Sequence, residues 1–289
     1  MEILVIDREQ LSTQLITSRL EAKGHKVTTE TNKQNAFDLI RLNKYDCILV
    51  DPAPLSEARP VVIGIWKNLR HDVKPYVLLL SKTATEAEAI AAGTNDVLPK
   101  PLSTQELETK VGNALRLMDL TRLLHGGGNI PSQGGVVGKD AFNQLFLSAI
   151  DRAFRYGERS LVVYMEVVNM AEIEETAGKA AKDEMYEKLI EKLTFMRRQS
   201  DVIGCVGRQD FAILLQRPQY ESEPLDALSR FSEVLDKFCQ SLDNPAVVPH
   251  IRLQLIELPQ GALHGEKTVP SLQSEEDTGE GEEVVHGDG

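Results

Sequence analysis

Cys47-Ile48-Leu49-Val50-Asp51 decides the reading of this chain: four apolar residues in succession, then a carboxylate. Three similar runs surround it. Ile3-Leu4-Val5-Ile6 leads into Asp7, Tyr76-Val77-Leu78-Leu79-Leu80 into Ser81, and Asp96-Val97-Leu98-Pro99 into Lys100. Short apolar runs separated by helical patterns predict parallel strands buried on both faces. Strands are expected near 2–7, 26–31, 46–51, 76–81 and 96–99, with helices near 9–23, 33–44, 58–70, 84–92 and 103–124. In such a sheet, ligands and chemistry collect beyond the carboxyl ends of the strands. One edge should therefore gather Asp7, Asp51, Ser81 and Lys100. Each alone is an ordinary polar residue capping a strand; together, in this order, they make a candidate site.

Over residues 1–124 this pattern resembles the receiver domain of bacterial response regulators, a flavodoxin-like, doubly wound α/β fold. The resemblance implies that Asp51 is the phosphoacceptor and that Asp7 and Asp51 belong to a Mg²⁺ site. It also implies that Ser81 is the switch hydroxyl, that Lys100 contacts the phosphoryl group, and that a histidine kinase or another signalling protein is the partner. The physics agrees, because a carboxylate attacks phosphorus poorly unless Mg²⁺ and a lysine neutralise the charge gathered there. Departures weaken that chemistry. Arg8 stands where the family has a second acid, and a lost carboxylate weakens a hard-cation site. Turned inward, Arg8 would pair with Asp51 and stand in for the metal; turned outward, it is a solvated charge. Pro52, Pro54, Lys82 and Val97 also depart from the family pattern.

The 289 residues suffice for two domains, and 42% hydrophobic residues is ordinary for a globular protein. A net charge of −12 disfavours nucleic acid and anionic membranes as partners. No apolar stretch is long enough to cross a bilayer and the chain opens directly into a strand, so the expected compartment is the cytoplasm. Cys47, Cys205 and Cys239 lack metal-ligand spacing and predict no disulfide framework. Residues 125–135, with three successive glycines, predict a flexible linker. Residues 261–289 predict a disordered acidic tail, with seven acids and no Lys or Arg from Ser271 onward.

Between them, residues 136–260 predict an αβαββαβ order: helices near 139–156, 179–198 and 224–241, and strands near 161–168, 201–206, 211–216 and 250–258. Two apolar runs around Gly207-Arg208-Gln209-Asp210 predict a β-hairpin. With Asp201-Val202-Ile203 and the 161–178 region, this hairpin resembles the GGDEF domain of diguanylate cyclases, an α+β, nucleotidyl-cyclase-like fold. An active member joins two GTP molecules across a dimer, using acidic residues to hold Mg²⁺. Here Gly207 remains, Arg208 replaces the second glycine, Gln209 replaces the central acid and Asp210 is kept. Glu166 takes the place of a metal-binding Asp, Glu174 that of a guanine-reading Asn, and Asp183 matches another guanine contact. The family's last helix, with its phosphate-binding lysine, is missing. The resemblance therefore implies a degenerate, non-catalytic domain; the alternative is a phosphorylation-controlled cyclase making cyclic di-GMP.

One further element matches. Arg198-x-x-Asp201, five residues before Gly207, has the spacing of the family's inhibitory site, which binds cyclic di-GMP, and Arg230 would add a second cation. Arg offers a two-pronged contact to phosphate or a guanine edge. The other reading is a helix-terminal Arg and a strand-initiating Asp. The combined expectation is a two-component signalling protein acting through protein contacts, dimeric through the helix at 103–124 or using that helix to address its second domain.

Overall fold

The computed structural model describes residues 1–70, 73–126, 128, 130–196, 198 and 201–271. The first unit runs β1 (Glu2–Ile6), α1 (Gln10–Glu21), β2 (Lys26–Glu30), α2 (Lys33–Leu42), β3 (Cys47–Val50), α3 (Ala58–Asn68), β4 (Tyr76–Ser81), α4 (Glu86–Ala92), β5 (Asp96–Pro99) and α5 (Thr104–His125). Its sheet is parallel, in the order β2-β1-β3-β4-β5, so the expected doubly wound fold is present. Alternation along the strands splits the core into two layers. Ile3, Val5, Leu78 and Leu80 pack with α1 and α5. Leu4, Ile6, Val77 and Leu79 pack with α2 and α3. Local chemistry sets the helix ends: Asn32 accepts from the amides of Gln34 and Asn35 to start α2, and a Thr85–Glu88 capping box starts α4.

The second unit runs α6 (Lys139–Tyr156), β6 (Ser160–Val167), α7 (Met170–Ala177), α8 (Lys179–Met196), β7 (Val202–Cys205), β8 (Asp210–Gln216), α9 (Glu223–Gln240), β9 (Ile251–Leu258) and β10 (Leu263–Val269). Its antiparallel sheet has the order β10-β9-β6-β8-β7. One face, with Leu161, Val163 and Met165, is covered by α7, α8 and α9. The other, with Val162, Leu214, Ile256 and Leu258, shares an apolar cluster with Phe142 and Phe146 of α6 and with Leu117 and Met118 of α5.

Three sequence expectations need correction. Residues 261–271 are not tail: Leu263–Val269 pairs antiparallel with β9, and Val269 is fully buried. Its sequence, Leu-His-Gly-Glu-Lys-Thr-Val, lacks an apolar run because it is an edge strand held by backbone pairing. The seven acids of the expected tail lie outside the described residues. Second, the glycine-rich segment is no loose tether where it is described. Ile130 packs against the second core, and Gln133 and Val136 exchange backbone hydrogen bonds around Gly134 and Gly135. Both glycines have positive φ, and a Cβ at either would press on α8, at Ile190 (2.7 Å) or Thr194 (2.9 Å). Third, a separate helix, α7, precedes the expected 179–198 helix, and α8 stops at Met196, so Arg198 lies beyond its end.

The two units meet through the β9–β10 turn as well as the shared cluster. Tyr76 donates its hydroxyl to the Gln260 carbonyl (2.9 Å), Asn95 its amide to Pro259 (3.0 Å) and Arg116 its guanidinium to Gly261 (2.7 Å). Gln260 donates in return to the Glu86 carboxylate (2.7 Å). The apolar stripe of α5 formed by Leu107, Val111, Ala114, Met118 and Leu124 is thus covered within the chain, while Leu115 stays exposed.

Candidate functional site

The parallel sheet brings Asp7, Asp51, Ser81 and Lys100 together, each at or just past a strand end. The Lys100 ammonium lies 2.7 Å from Asp7 Oδ2 and 2.5 Å from Asp51 Oδ2. A third acid joins them: Glu9 Oε2 is 3.1 Å from the same ammonium. The Lys100 and Asp7 side chains are buried, whereas Asp51 is 18% exposed. Burial opposes the lysine's charge, but hydrogen bonds to Asp51, Asp7 and Glu9 outweigh it and hold its pKa well above the ordinary value. The same bond, with one from Ser12, lowers the pKa of Glu9.

Glu9 was not anticipated from sequence. The Asp7 carboxylate accepts from the Glu9 amide (2.9 Å), and this tight turn folds the second acid back into the site. The signal was present as acid-x-acid at the end of the first strand. Arg8, between the two, is exposed and makes no ion pair among the described residues. Arg8 lines the same cavity as Asp51 without an ion pair to it, and Lys100 is the cation that contacts Asp51.

Asp7, Glu9, Asp51 and Ser81 open on a cavity of about 390 Å³ also lined by Arg8, Lys33, Pro54 and Lys82. Asp51 accepts from the Ala53 amide through Oδ1 (2.9 Å) and from Lys100 through Oδ2. The Ser81 hydroxyl accepts from the amides of Thr83 and Ala84, at 3.2 and 3.1 Å. Asp7, Glu9 and Asp51 supply the oxygen donors that Mg²⁺ prefers. Among the described residues, however, no three such side chains stand at metal-ligand spacing.

The second unit gathers its acids differently. Asp210 follows the Gly207 turn and accepts from the Tyr164 hydroxyl (2.6 Å); burial raises its pKa. Glu166, two residues along β6, is paired with the Arg252 guanidinium from β9. A Cβ at Gly207 would meet the Asp210 carboxylate and displace it from its present place. Arg208 is exposed and, with Asp119, Arg122 and Lys139, lines a cavity of about 810 Å³ beside the end of α5. Gln209 faces β6, its carbonyl accepting from the Val167 amide. Glu174 is bound by Lys182, and Asp183 lies 3.7 Å from that same ammonium.

Arg198, Asp201 and Arg230 also converge, around a cavity of only about 30 Å³. Asp201 accepts from the Arg198 amide (3.1 Å), and its carboxylate is 3.9 Å from the Arg230 guanidinium. Arg198 itself is paired with Glu223. Two nitrogens of Arg230, Nε and Nη2, are buried without a hydrogen-bond partner among the described residues.

Known families match the same two regions. Residues 3–112 match the response regulator receiver domain, and residues 134–254 the GGDEF domain of diguanylate cyclases. The chain carries a receiver domain joined to a GGDEF domain. The transcriptional regulatory protein SrrA of Staphylococcus aureus is 30% identical over 117 residues, which are 40% of this chain and 48% of SrrA. The chain thus spans about half the length of the curated relatives it matches. A Francisella receiver-domain structure aligns at 26% identity and a TM-score of 0.33, covering 39% of this chain and 94% of that one. The diguanylate cyclase SiaD of Pseudomonas aeruginosa, solved with its activator SiaC, aligns at 15% identity and a TM-score of 0.36, covering 40% of this chain and 45% of SiaD. The receiver and GGDEF domains mark a two-component signalling protein related to diguanylate cyclases.

Proposed function

We propose that this protein receives a phosphoryl group on Asp51 and passes the signal on through protein contacts, not through nucleotide chemistry. The contrast between its two sites supports this reading. In the receiver, three carboxylates converge on a lysine beside an open cavity. In the GGDEF domain, the acids are spent inside the chain, Glu166 on Arg252 and Asp210 on Tyr164. Gln209 offers no carboxylate where the family holds its metal.

In the receiver, an Asp51 oxygen attacks the phosphorus of a phosphohistidine, the P–N bond breaks and the imidazole leaves with the donor, while Lys100 neutralises the charge that accumulates on the transferred group. The three carboxylates do not stand at metal-ligand spacing, so Lys100 is the charge-neutralising group that this site supplies. The donor is a histidine kinase or a phosphotransfer protein. The covered stripe of α5 leaves any pairing of two chains to other surfaces. Among the described residues no helix is long and apolar enough to cross a membrane. The test is incubation with acetyl phosphate and Mg²⁺, followed by intact-mass measurement, beside a GTP turnover assay. One phosphoryl group lost in Asp51→Asn, with no cyclic di-GMP formed, is the expected result. Turnover of GTP would overturn the non-catalytic reading.

The convergence of Arg198, Asp201 and Arg230 favours a second role, recognition of cyclic di-GMP. The ligand would have to displace Glu223 from Arg198 and lie over the small cavity rather than in it. Calorimetric titration tests this, with Arg198→Ala as control. Micromolar binding lost in the variant is the expected outcome, and absent binding makes the three residues structural.

A further inference from the structure

We propose that the β9–β10 turn, residues 259–261, is a latch through which the GGDEF domain reads the state of the Asp51 pocket. The receiver face made by α4, β5 and α5 then serves this intramolecular contact rather than a second copy of the chain. The proposal rests on Asp51 being the responsive group.

The connection is short and continuous. The Ser81 hydroxyl pins the loop that enters α4, by accepting from Thr83 and Ala84. The Thr85–Glu88 box then fixes the first turn of that helix. Its first residue, Glu86, holds the side chain of Gln260. Five positions therefore separate the pocket hydroxyl from the latch. A Ser81 side chain that turns toward a charged group on Asp51 moves the loop it pins, and Glu86 follows.

The latch is held from the other side as well. Asn95 accepts from the Val77 amide and donates to Pro259, so it ties β4 and β5 to the turn. Tyr76 and Arg116 fix the next two carbonyls. Gly261 has φ of +72°, and a Cβ there would strike the Asn113 carbonyl of α5. Gln260 is 7% exposed. A turn so enclosed responds to a displacement of α4 rather than absorbing it in solvent. Parting of the two domains is not the response, because Phe146, Ile256 and Leu258 share one buried cluster with the receiver. The shift passes instead into β9, which pairs with the central strand β6 along its length.

Hydrogen–deuterium exchange on the full chain tests the latch. Gln260→Glu sets a carboxylate against Glu86 at nearly constant shape. Exchange should rise about tenfold in peptides covering both 258–262 and 82–86, since coupling between two sites is reciprocal. Adding Glu86→Gln restores a donor–acceptor pair and should return both peptides to the wild-type rate. A rise at 258–262 with 82–86 unchanged overturns the proposal. In a second arm, beryllofluoride with Mg²⁺ stands in for the phosphoryl group. A response at 51–55 and 82–86 with silence at 258–262 also overturns the latch. Silence at 51–55 overturns the phosphoacceptor reading instead, and the charge exchange alone then decides the latch.

Discussion

Phe146→Ala should weaken the receiver from outside it. Phe146 lies on α6 of the GGDEF domain, is fully buried, and belongs to the cluster that also holds Leu117, Met118 and Leu124 of α5. Truncating a buried phenylalanine costs about 3–5 kcal/mol, from lost transfer energy plus the cavity left behind. With a urea slope of about 3 kcal/mol/M, at the top of the small-protein range, the midpoint should fall by about 1–1.7 M. The assay uses two probes. The chain has one tryptophan, Trp66, on α3 and packed against the opposite layer of the receiver core. Its fluorescence reports the receiver, while far-ultraviolet circular dichroism reports both domains. A shared core predicts that both midpoints fall together, as one cooperative transition. A Trp66 midpoint that stays at the wild-type value while the dichroism midpoint falls would refute the shared core, and the receiver would then be an independent folding unit.

Four more expectations follow from the same geometry. Lys100→Met leaves Asp7, Glu9 and Asp51 without their cation; it should abolish acetyl-phosphate labelling and cost about 3 kcal/mol in urea unfolding, the lower end because Asp51 reaches solvent. Folding raises the pKa of Lys100, so its contribution is complete below the reference value of 10.5 and is lost as pH climbs toward the higher folded value; alkaline unfolding should therefore be steeper in wild type than in Lys100→Met. Gly134→Ala forces a side chain into positive φ against Ile190 and should cost about 1–3 kcal/mol, read as a lower Tm; an unchanged Tm would return this segment to a loose linker. Arg252→Met frees Glu166 from a half-exposed pair, should cost less than about 1 kcal/mol in urea unfolding, and should create no GTP turnover, because Gln209 still offers no acid.

The receiver was legible because its signals are local and redundant. A run such as Cys47–Val50, buried on both faces, must be apolar throughout, and the residue after it must stand at the sheet edge. The site that follows from this, Asp7, Asp51, Ser81 and Lys100, needed no knowledge of side-chain direction. Glu9 escaped because its place depends on a turn closed by the Asp7 carboxylate, which neither residue announces alone. Strand β10 escaped because edge pairing uses the backbone, and its Glu266 and Lys267 carry no apolar pattern.

The sequence by itself determined the two sheets, the hairpin at Gly207 and the neutral side chain of Gln209 within it. These rest on periodicity and residue type, which act over a few positions. Only the tertiary structure decided the pairing of Lys100 with Asp51, the pairing of Glu166 with Arg252, and the joining of the two domains through Gln260. Those outcomes depend on which side chains meet across long sequence separations. The folded core fixes such meetings, and no local pattern encodes them.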